Sequence, residues 1–361
     1  SDPRMAKAKS GQWWMDEGQR RLANNSVAYT EKPDFESFLS EMQTMYESKA
    51  GERGIFSRVA AQKIAGRNGR RDPTYDFGTN PCSEIILRSN QFCNLSEIVV
   101  RADDTLATLK KKADIAAIIG TLQATLTDFR YLRNCWKKNT EEEALLGVSM
   151  TGIMDNDTLS RAESPMLATW LEEIRDVAVA TNKKWAEKLG INQSAAITCV
   201  KPSGTVSQLV DSASGIHPRF SKHYIRRVRS DNKDPLAVFM GQSGFPVEQD
   251  VMSPSSAVFS FPVKAPESSV TVKQVGAMQQ LELWKAYQNH WCEHKPSITV
   301  YYTDNEFLQV AQWIWENFDL CSGISLLPYS DHVYQQAPYE DIDAEKYDEL
   351  VAAMPVGVDW N

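Results

Sequence analysis

From about residue 147 onward, the chain alternates segments of strand character with segments of helix character. The apolar stretches 147–155, 195–200 and 297–302 are typical of buried strands, whereas 271–292 and 305–318 have helical spacing. Strands that alternate with helices pair in parallel, because each helix carries the chain back to the same edge of the sheet. The sequence therefore predicts an α/β protein with a mostly parallel sheet or barrel wrapped by helices.

Further elements extend this pattern over the rest of the chain. We predict helices at 33–48, 59–65, 113–134 and 164–189, the last opened by Ser164 as cap and Pro165 in the first turn, and strands at 223–229 and 256–263. Because no repeat, low-complexity tract or clear linker separates these elements, one continuous domain over residues 1–361 is expected. It ends in an acidic, poorly periodic extension at about 337–361.

Charge and hydropathy exclude two classes of partner. The 39 Lys and Arg residues against 47 Asp and Glu residues give a net charge of −8, so polymeric nucleic acid is not an expected ligand. No stretch approaches the roughly 18 apolar residues of a membrane helix, so we expect a cytoplasmic protein without a membrane partner. The six cysteines lack zinc-finger spacing and are expected to be reduced, each either a small buried hydrophobe or a reactive thiol.

Asn80, Cys82 and Glu84 occupy alternate positions of the segment NPCSE. In extended backbone, alternate side chains share a face, so an amide, a thiol and a carboxylate would point at one ligand. They would supply a hydrogen-bond donor, a sulfur that can act as a nucleophile or lose a hydrogen atom, and a general base. The alternative is a turn favoured by Asn-Pro, with Cys82 packed and Glu84 solvated. Spacing alone leaves both interpretations open.

The segment KPSGTVSQL, residues 201–209, follows a predicted strand and precedes a predicted helical turn. A Ser-Gly-Thr turn at a helix N-terminus presents free backbone amides, two hydroxyls and the positive end of the helix dipole, which together favour a phosphate group. Lys201 adds positive charge. The segment is neither a Walker A loop nor a GxGxxG fingerprint, and a simple helix cap is the alternative interpretation.

The stretch TNPCSEIILRSNQFCNLSEI, residues 79–98, resembles the active-site finger loop of ribonucleotide reductases, most closely the adenosylcobalamin-dependent class II enzymes. Other segments that resemble the same family occur in the family's order: RRLANNSVAY, GVSMTGIMD, VKPSGTVSQL, SGIHPRFSKHYIRRVR, DPLAVF, PSITVYY and GISLLPYSDHVYQQAP. The resemblance spans essentially the whole chain. It implies the C-terminal half of a ten-stranded α/β barrel, with a central finger loop at about 76–98 that carries the catalytic cysteine.

The resemblance also implies roles for particular residues. Cys82 would hold a transient thiyl radical, Asn80 and Glu84 would hydrogen-bond the ribose hydroxyls, and Cys93 would be one of two reducing thiols. The substrate-binding set that it implies comprises Ser83, Lys201, Pro202, Ser203, Gly204, Thr205, Val206 and Ser207. The implied reaction converts ribonucleoside di- or triphosphates to 2′-deoxyribonucleotides, with adenosylcobalamin (coenzyme B12) as cofactor and an external dithiol as reductant.

The chain departs from the family pattern at its start. The resemblance begins at Ser1, midway through a typical family member, whose N-terminal half carries the thiol partner of Cys93. The remaining cysteines do not match that partner and are expected to be structural: Cys135, Cys199, Cys292 and Cys321. We therefore expect a companion chain that carries the N-terminal half of the reductase, from a split gene or an intein-interrupted one.

Two alternatives to a class II enzyme stay open. Tyr301 and Tyr302 resemble the radical-relay pair of class I large subunits, which depend on a separate radical-generating subunit. The interval of eleven residues from Cys82 to Cys93 favours class II, because class I subunits usually place more residues there. The second alternative is a catalytically silent nucleotide-binding protein that uses the phosphate loop alone.

Overall fold

A computed structural model of the chain describes residues 3–11, 13–49, 51–329 and 335–360. Its helices are α1 Pro3–Ala6, α2 Trp13–Asp16, α3 Phe35–Ser48, α4 Arg58–Gly66, α5 Leu106–Gln123, α6 Asn134–Glu143, α7 Leu167–Leu189, α8 Val206–Leu209, α9 Pro235–Gln242, α10 Ala277–His290, α11 Phe307–Glu316 and α12 Ala344–Ala352. Its strands are β1 Ser26–Tyr29, β2 Gly54–Ser57, β3 Gly78–Thr79, β4 Ile86–Leu87, β5 Asn94–Val99, β6 Leu146–Thr151, β7 His223–Asp231, β8 Val247–Gln249, β9 Ser256–Lys264, β10 Thr299–Tyr302, β11 Ser325–Pro328 and β12 Tyr339–Asp341. Short 3₁₀ helices occupy Gly18–Leu22, Ile153–Asp155 and Val272–Gln274.

The described residues form two compact units. The first comprises the described residues up to Pro218 together with Val275–Tyr329, and the second comprises Arg219–Gln274 with the described residues after Tyr329. The single continuous domain expected from the sequence stays a prediction.

Parallel strand pairing dominates the first unit. Strand β1 pairs with β2, β5 with β6 and β10 with β11, all in parallel. Isolated bridges extend this pairing, in parallel for Val148 with Thr198 and Val200 with Pro296, and antiparallel for Ile55 with Ile324. The α/β class predicted from the alternation is confirmed, although the stretch 195–200 makes isolated bridges rather than a full strand.

Strand β6 lies in the core of the first unit, with all six residues buried. Helix α5 packs over β5 and β6 and against α7. The packing is close at Gly120 of α5, where a Cβ atom would lie 3.0 Å from Leu146 Cδ2. A larger residue at this position would push the helix away from the sheet. Helices α5 and α7 thus support β5, which begins directly after Cys93, and β6, which precedes the predicted phosphate loop in the chain.

The helix predicted at 113–134 has different bounds in the structure. It begins earlier because Thr105 and Thr108 form a capping box ahead of Leu106. It ends at Gln123, where Thr125 turns the chain and donates its hydroxyl to the carbonyl of Leu122 at 2.7 Å. The local hydrogen bonds of threonine side chains thus decided both ends.

The start predicted for α7 is also wrong. The helix begins at Leu167 without a side-chain cap, and Pro165 lies in the turn before it. The backbone N–H of Leu167 donates to Ser164 O at 3.1 Å, so Ser164 closes that turn instead of capping the helix. The helix then runs to Leu189, as predicted, and ends on Gly190 in the left-handed conformation.

The second unit contains an antiparallel sheet with the strand order β12-β7-β9-β8. Strands β7 and β9 match the predictions at 223–229 and 256–263, but they pair with each other antiparallel along their full length. The C-terminal extension is more regular than its sequence suggested, because β12 joins this sheet and α12 follows it. Asp343 caps α12 by accepting a hydrogen bond from the backbone N–H of Lys346 at 2.7 Å.

Candidate active site

The segment NPCSE forms the tip of a hairpin between β3 and β4, in which Gly78 faces Leu87. The extended conformation considered for it is wrong, since Ser83 N donates to Asn80 O at 2.9 Å and closes a turn. Proline at the second position of a turn and asparagine at the first both favour this conformation over a strand. The turn alternative is therefore correct for the backbone.

The turn still brings the amide and the carboxylate together. Asn80 Nδ2 donates to Glu84 Oε2 at 2.7 Å, and Asn80 Oδ1 accepts from the backbone N–H of Ile85 at 3.0 Å. Glu84 is buried, with 2% of its surface exposed, whereas Cys82 is exposed. The expectation that Cys82 is packed and Glu84 solvated in such a turn is therefore reversed. The loop presents its thiol outward and holds its carboxylate inside.

Donors from outside the hairpin hold the backbone of this turn. Four successive carbonyl oxygens, from residue 81 to residue 84, each accept a hydrogen bond from elsewhere in the first unit. The donors are Asn24 Nδ2 for Pro81, Ser297 Oγ for Cys82 at 2.7 Å, Lys295 Nζ for Ser83 and the backbone N–H of Lys295 for Glu84 at 3.2 Å. The position of the Cys82 backbone is thus fixed by two separate segments of the chain, at Asn24 and at 295–297.

Cys82 lies on a pocket of about 240 Å³ within the first unit. The turn contributes Pro81, Cys82 and Ser83 to its wall, and the predicted phosphate loop contributes Pro202. Partial removal from water raises the pKa of the Cys82 thiol, and the Glu84 carboxylate raises it further, while Lys201 and Lys295 oppose the change. The thiol therefore stays protonated at neutral pH and carries an S–H bond at the edge of the pocket.

Lys295 is a site residue that sequence reasoning missed. Its side chain is 1% exposed, and Nζ donates to both the carbonyl and the hydroxyl of Ser83, the latter at 2.8 Å. Burial lowers the pKa of Lys295 from its usual 10.5 to about 8, and the Glu84 carboxylate opposes this change. The only local signal was a lysine directly before the Pro-Ser that leads into β10.

Cys93 lies directly before β5 and is half-buried against Leu145, Ala195 and Ala196. Burial raises the pKa of this thiol, and Glu84 raises it further, while Arg71 lowers it. Glu84 is thus within electrostatic reach of both predicted catalytic thiols. Cys93 itself lines a second, more open pocket of about 540 Å³.

The other cysteines differ in their surroundings. Cys199, Cys292 and Cys321 are buried, and burial raises the pKa of each thiol. Cys135 is half-buried on α6. These environments support the prediction that the three buried thiols are packing residues, since burial in apolar surroundings makes a thiol inert.

The predicted phosphate loop leads from the bridge at Val200 into the short helix α8. Lys201 N donates to Ser149 Oγ of β6 at 2.8 Å, and a Cβ atom at Gly215 would lie 2.2 Å from Lys201 O, so only glycine fits there. Ser203 is left-handed with φ 52° and buried, and its hydroxyl has no hydrogen-bond partner among the described residues. Gly204 is exposed.

The remainder of that loop divides between solvent and protein. Thr205 is exposed and Val206, the first residue of α8, is half-buried. Ser207 is buried and hydrogen-bonds Ser214 through the two hydroxyls at 2.8 Å. Ser207 is therefore part of the support of the loop, while Gly204 and Thr205 form its accessible surface.

Glu97 is a second residue near the predicted site to which the sequence motifs assigned no role. Its side chain is 8% exposed, and Lys201 Nζ lies 3.6 Å from Oε2. Both carboxylate oxygens are buried without a hydrogen-bond partner in the described part of the chain. The alternation of Leu95 and Glu97 on one face of β5 was the available signal, because a carboxylate on a buried face needs a positive partner.

Other kinds of site are absent from the described ranges. Within them, no group of three or more His, Cys, Asp or Glu residues could hold a metal ion. Likewise, none of the helices at 3–11, 13–49, 51–329 or 335–360 is long and apolar enough to cross a membrane.

The chain is similar to several adenosylcobalamin-dependent ribonucleoside-triphosphate reductases. It is 29% identical to that of Lacticaseibacillus paracasei over 93% of this chain and 48% of the relative. It is 28% identical to that of Levilactobacillus brevis, over 91% of this chain and 47% of the relative. It is 29% identical to that of Euglena gracilis, over 91% of this chain and 44% of the relative. The chain thus spans about half the length of the curated relatives it matches.

A solved structure shares the fold. The structure of a B12-dependent, class II ribonucleotide reductase matches with a TM-score of 0.76 and 24% identity, over 98% of this chain and 53% of that one. No protein-family model matches the chain. The resemblance recognised in the sequence is confirmed by the relatives, and the α/β fold by the solved structure.

Proposed function

We propose that this chain, a homologue of the adenosylcobalamin-dependent ribonucleotide reductases over 91–93% of its length, is the half of such an enzyme that carries the radical-bearing cysteine. The observation that carries the proposal is the convergence of two predicted loops on one pocket. Cys82 and Ser83 reach it from the hairpin and Pro202 from the phosphate loop, and Glu84, two residues after the thiol, is buried. The parallel pairing in the first unit supports a half-barrel around this pocket, with the hairpin as its finger loop.

The thiol and the carboxylate would share the first chemical step. A sulfur radical at Cys82 removes the hydrogen atom from C3′ of the ribose, which forms an S–H bond and leaves a carbon radical. Glu84, oriented by Asn80, accepts the proton of the 3′-hydroxyl as general base. The 2′-hydroxyl then takes a proton from one of the two reducing thiols and leaves as water. An exposed sulfur next to a buried, hydrogen-bonded carboxylate suits these two roles.

Cys93 and a partner thiol would supply the two electrons of the reduction. They reduce the ribose radical and join in a disulfide, which an external dithiol must reduce before the next turnover. Cys82 finally returns its hydrogen atom to C3′, so the sulfur radical is regenerated. The Glu84 carboxylate acts on the pKa of both cysteines, which supports the placement of Cys93 at the same reaction centre.

The loop at 201–207 would bind the substrate phosphates. Lys201 supplies positive charge, and Gly204 and Thr205 offer exposed backbone at the start of α8. The buried hydroxyl of Ser203, without a partner among the described residues, supplies a further donor. We propose ribonucleoside triphosphates as substrates, because the named relatives reduce triphosphates.

Adenosylcobalamin, as named for the relatives, would supply the radical that removes the hydrogen atom from the Cys82 thiol. The chain fits this role at one point, because the sulfur is exposed and an initiating group can reach it. Ser297, Lys295 and Asn24 would keep that sulfur in place through the carbonyl contacts of the turn.

The complete activity would need the other half of the reductase. The chain spans about half the length of its relatives, and the partner thiol of Cys93 is not identified among its own cysteines. We propose that this half comes from a companion chain. The external dithiol is the remaining partner that the chemistry requires.

Anaerobic turnover of the native preparation, with any co-purifying chain retained, tests the proposal. Ribonucleoside triphosphates, a dithiol and adenosylcobalamin are supplied, and deoxynucleotides are detected by mass spectrometry. We expect product from the wild type and from the matched control Cys135→Ser, but none from Cys82→Ser or Cys93→Ser.

The outcomes separate the alternatives. Product that forms without adenosylcobalamin would point to a class I enzyme with another radical source. Nucleotide binding without product, after the missing half has been added, would refute the proposal in favour of a silent nucleotide-binding protein.

A further inference from the structure

The position of Lys295 is unusual for a lysine. The side chain is 1% exposed, and a buried ammonium without a fixed partner is unfavourable, because it loses its hydration. Hydrogen bonds of a charged donor offset part of this cost. The contacts of Nζ therefore indicate where the protein uses the charge.

Both hydrogen bonds of Nζ go to the same residue. The ammonium donates to the carbonyl oxygen and to the hydroxyl of Ser83, the latter at 2.8 Å. Ser83 has φ 61°, in the left-handed region that residues other than glycine adopt at a cost of about 1 kcal/mol or more. External contacts must hold a serine in that conformation.

Lys295 also holds the next peptide. Its backbone N–H donates to Glu84 O at 3.2 Å, so one residue holds both Ser83 and Glu84. Space for the contact between Lys295 Nζ and Ser83 depends on Gly323, where a Cβ atom would lie 2.5 Å from Nζ and 2.9 Å from Ser83 Oγ. The hydrogen bonds of Lys295 to the left-handed Ser83 therefore require a glycine at position 323.

We propose that Lys295 is a positioning residue that fixes the Cys82 thiol relative to the Glu84 carboxylate by holding Ser83 between them. A change in the φ angle of Ser83 would rotate these two side chains away from each other. This geometry matters for reductase chemistry only if the proposed function holds, but it can be measured without turnover.

The electrostatic effect of the Glu84 carboxylate on the Cys82 thiol, called the coupling below, provides that measurement. The rate of Cys82 alkylation by iodoacetamide at pH 8.5, followed by peptide mass spectrometry on the 361-residue chain, reports the fraction of thiolate. Since Glu84 raises the pKa of the thiol, Glu84→Gln should speed alkylation by roughly threefold or more. This acceleration measures how closely the carboxylate faces the sulfur.

Removal of the lysine should weaken the coupling. In the Lys295→Met background we expect the acceleration by Glu84→Gln to fall to less than half of its wild-type value. The control Lys285→Met, on the preceding helix α10, should leave it unchanged. Gly323→Ala, which displaces Nζ and keeps the charge, should weaken it as Lys295→Met does.

A rescue distinguishes positioning from a mere effect of charge. Glycine adopts the left-handed conformation freely, so Ser83→Gly added to Lys295→Met should restore the coupling. Restored coupling supports the proposal, whereas coupling that stays low in this double variant, or that never fell in Lys295→Met, overturns it. In the assembled enzyme, Lys295→Met should lower kcat by ~100-fold with little change in KM. If the alkylation rates change as expected but the assembled protein shows no turnover, the result would count against the proposed function and not against the positioning role of Lys295.

Discussion

Replacement of Lys295 by methionine should stabilise the protein at neutral pH although it removes two hydrogen bonds. The folded chain lowers the pKa of this lysine from 10.5 to about 8. Because a pKa shift of one unit corresponds to about 1.4 kcal/mol, burial of the ammonium lowers the free energy of unfolding by about 3 kcal/mol at pH 7. Methionine has a similar length and avoids this cost, as when buried charges are replaced by apolar residues elsewhere.

The lost hydrogen bonds reduce the gain. Two contacts to Ser83 disappear, each contributing about 1 kcal/mol, so the expected net change at pH 7 is about 1 kcal/mol in favour of Lys295→Met. Because the unfolded chain binds more protons between pH 8 and 10.5, the stability of the wild type rises with pH across that window. At pH 10 most of the cost is gone, and the variant should be about 1 kcal/mol less stable than the wild type.

Urea unfolding at pH 7, 8.5 and 10 checks this reversal. Trp284 and Trp291, both fully buried near the N-terminal side of Lys295 in the chain, report the first unit by fluorescence. Lys285→Met serves as the control, for which no reversal is expected. A stability difference that is the same at all three pH values, or a loss above about 1 kcal/mol at pH 7, would refute the reasoning.

Three further predictions concern packing, buried charge and thiol access. Glu143→Gln should lower the free energy of unfolding in urea by about 3 kcal/mol, because it breaks the buried ion pair with Arg71, whose N–O distances are 2.9–3.0 Å. The control Glu142→Gln, at an exposed position, should change stability by less than about 0.5 kcal/mol. Equal effects of the two substitutions would contradict this prediction. Gly147→Ala should cost roughly 1–3 kcal/mol, since the added Cβ would lie 2.3 Å from a facing side chain; an unchanged urea midpoint would show that the strand can move. Under native conditions, mass spectrometry should find Cys82 alkylated before any of the three buried thiols, and the reverse order would mean that the turn does not expose its sulfur.

Local sequence signals predicted the class of fold, its four longest helices and its two longest strands. The amphipathic spacing of 33–48 corresponds to α3, and Asp34 caps it through the backbone N–H of Ser37 at 2.9 Å. Threonine hydrogen bonds moved the ends of α5, and such choices between local partners are not visible in periodicity. The antiparallel pairing of β7 with β9 depends on contacts between distant segments.

The predicted site residues came from short motifs, but their support did not. Ser83 and Lys295 are 212 residues apart, and only the folded chain shows that they share two hydrogen bonds. Glu97 and Lys201 meet across the same unit at 3.6 Å. A motif contains the groups that touch the substrate, whereas the groups that orient them can lie anywhere in the sequence. The roles assigned to Cys82, Glu84 and Cys93 stay predictions until turnover is measured.

The anchored carbonyls of the turn leave the Cys82 sulfur only one internal rotation. With the peptide groups on both sides held by Asn24, Ser297 and Lys295, the thiol can move only about its Cα–Cβ bond, among three staggered positions. Such a sulfur serves reaction partners on different sides by rotation over an arc of a few ångströms. Under the proposed function, a ribose and a radical source would therefore both have to approach the cysteine within that arc.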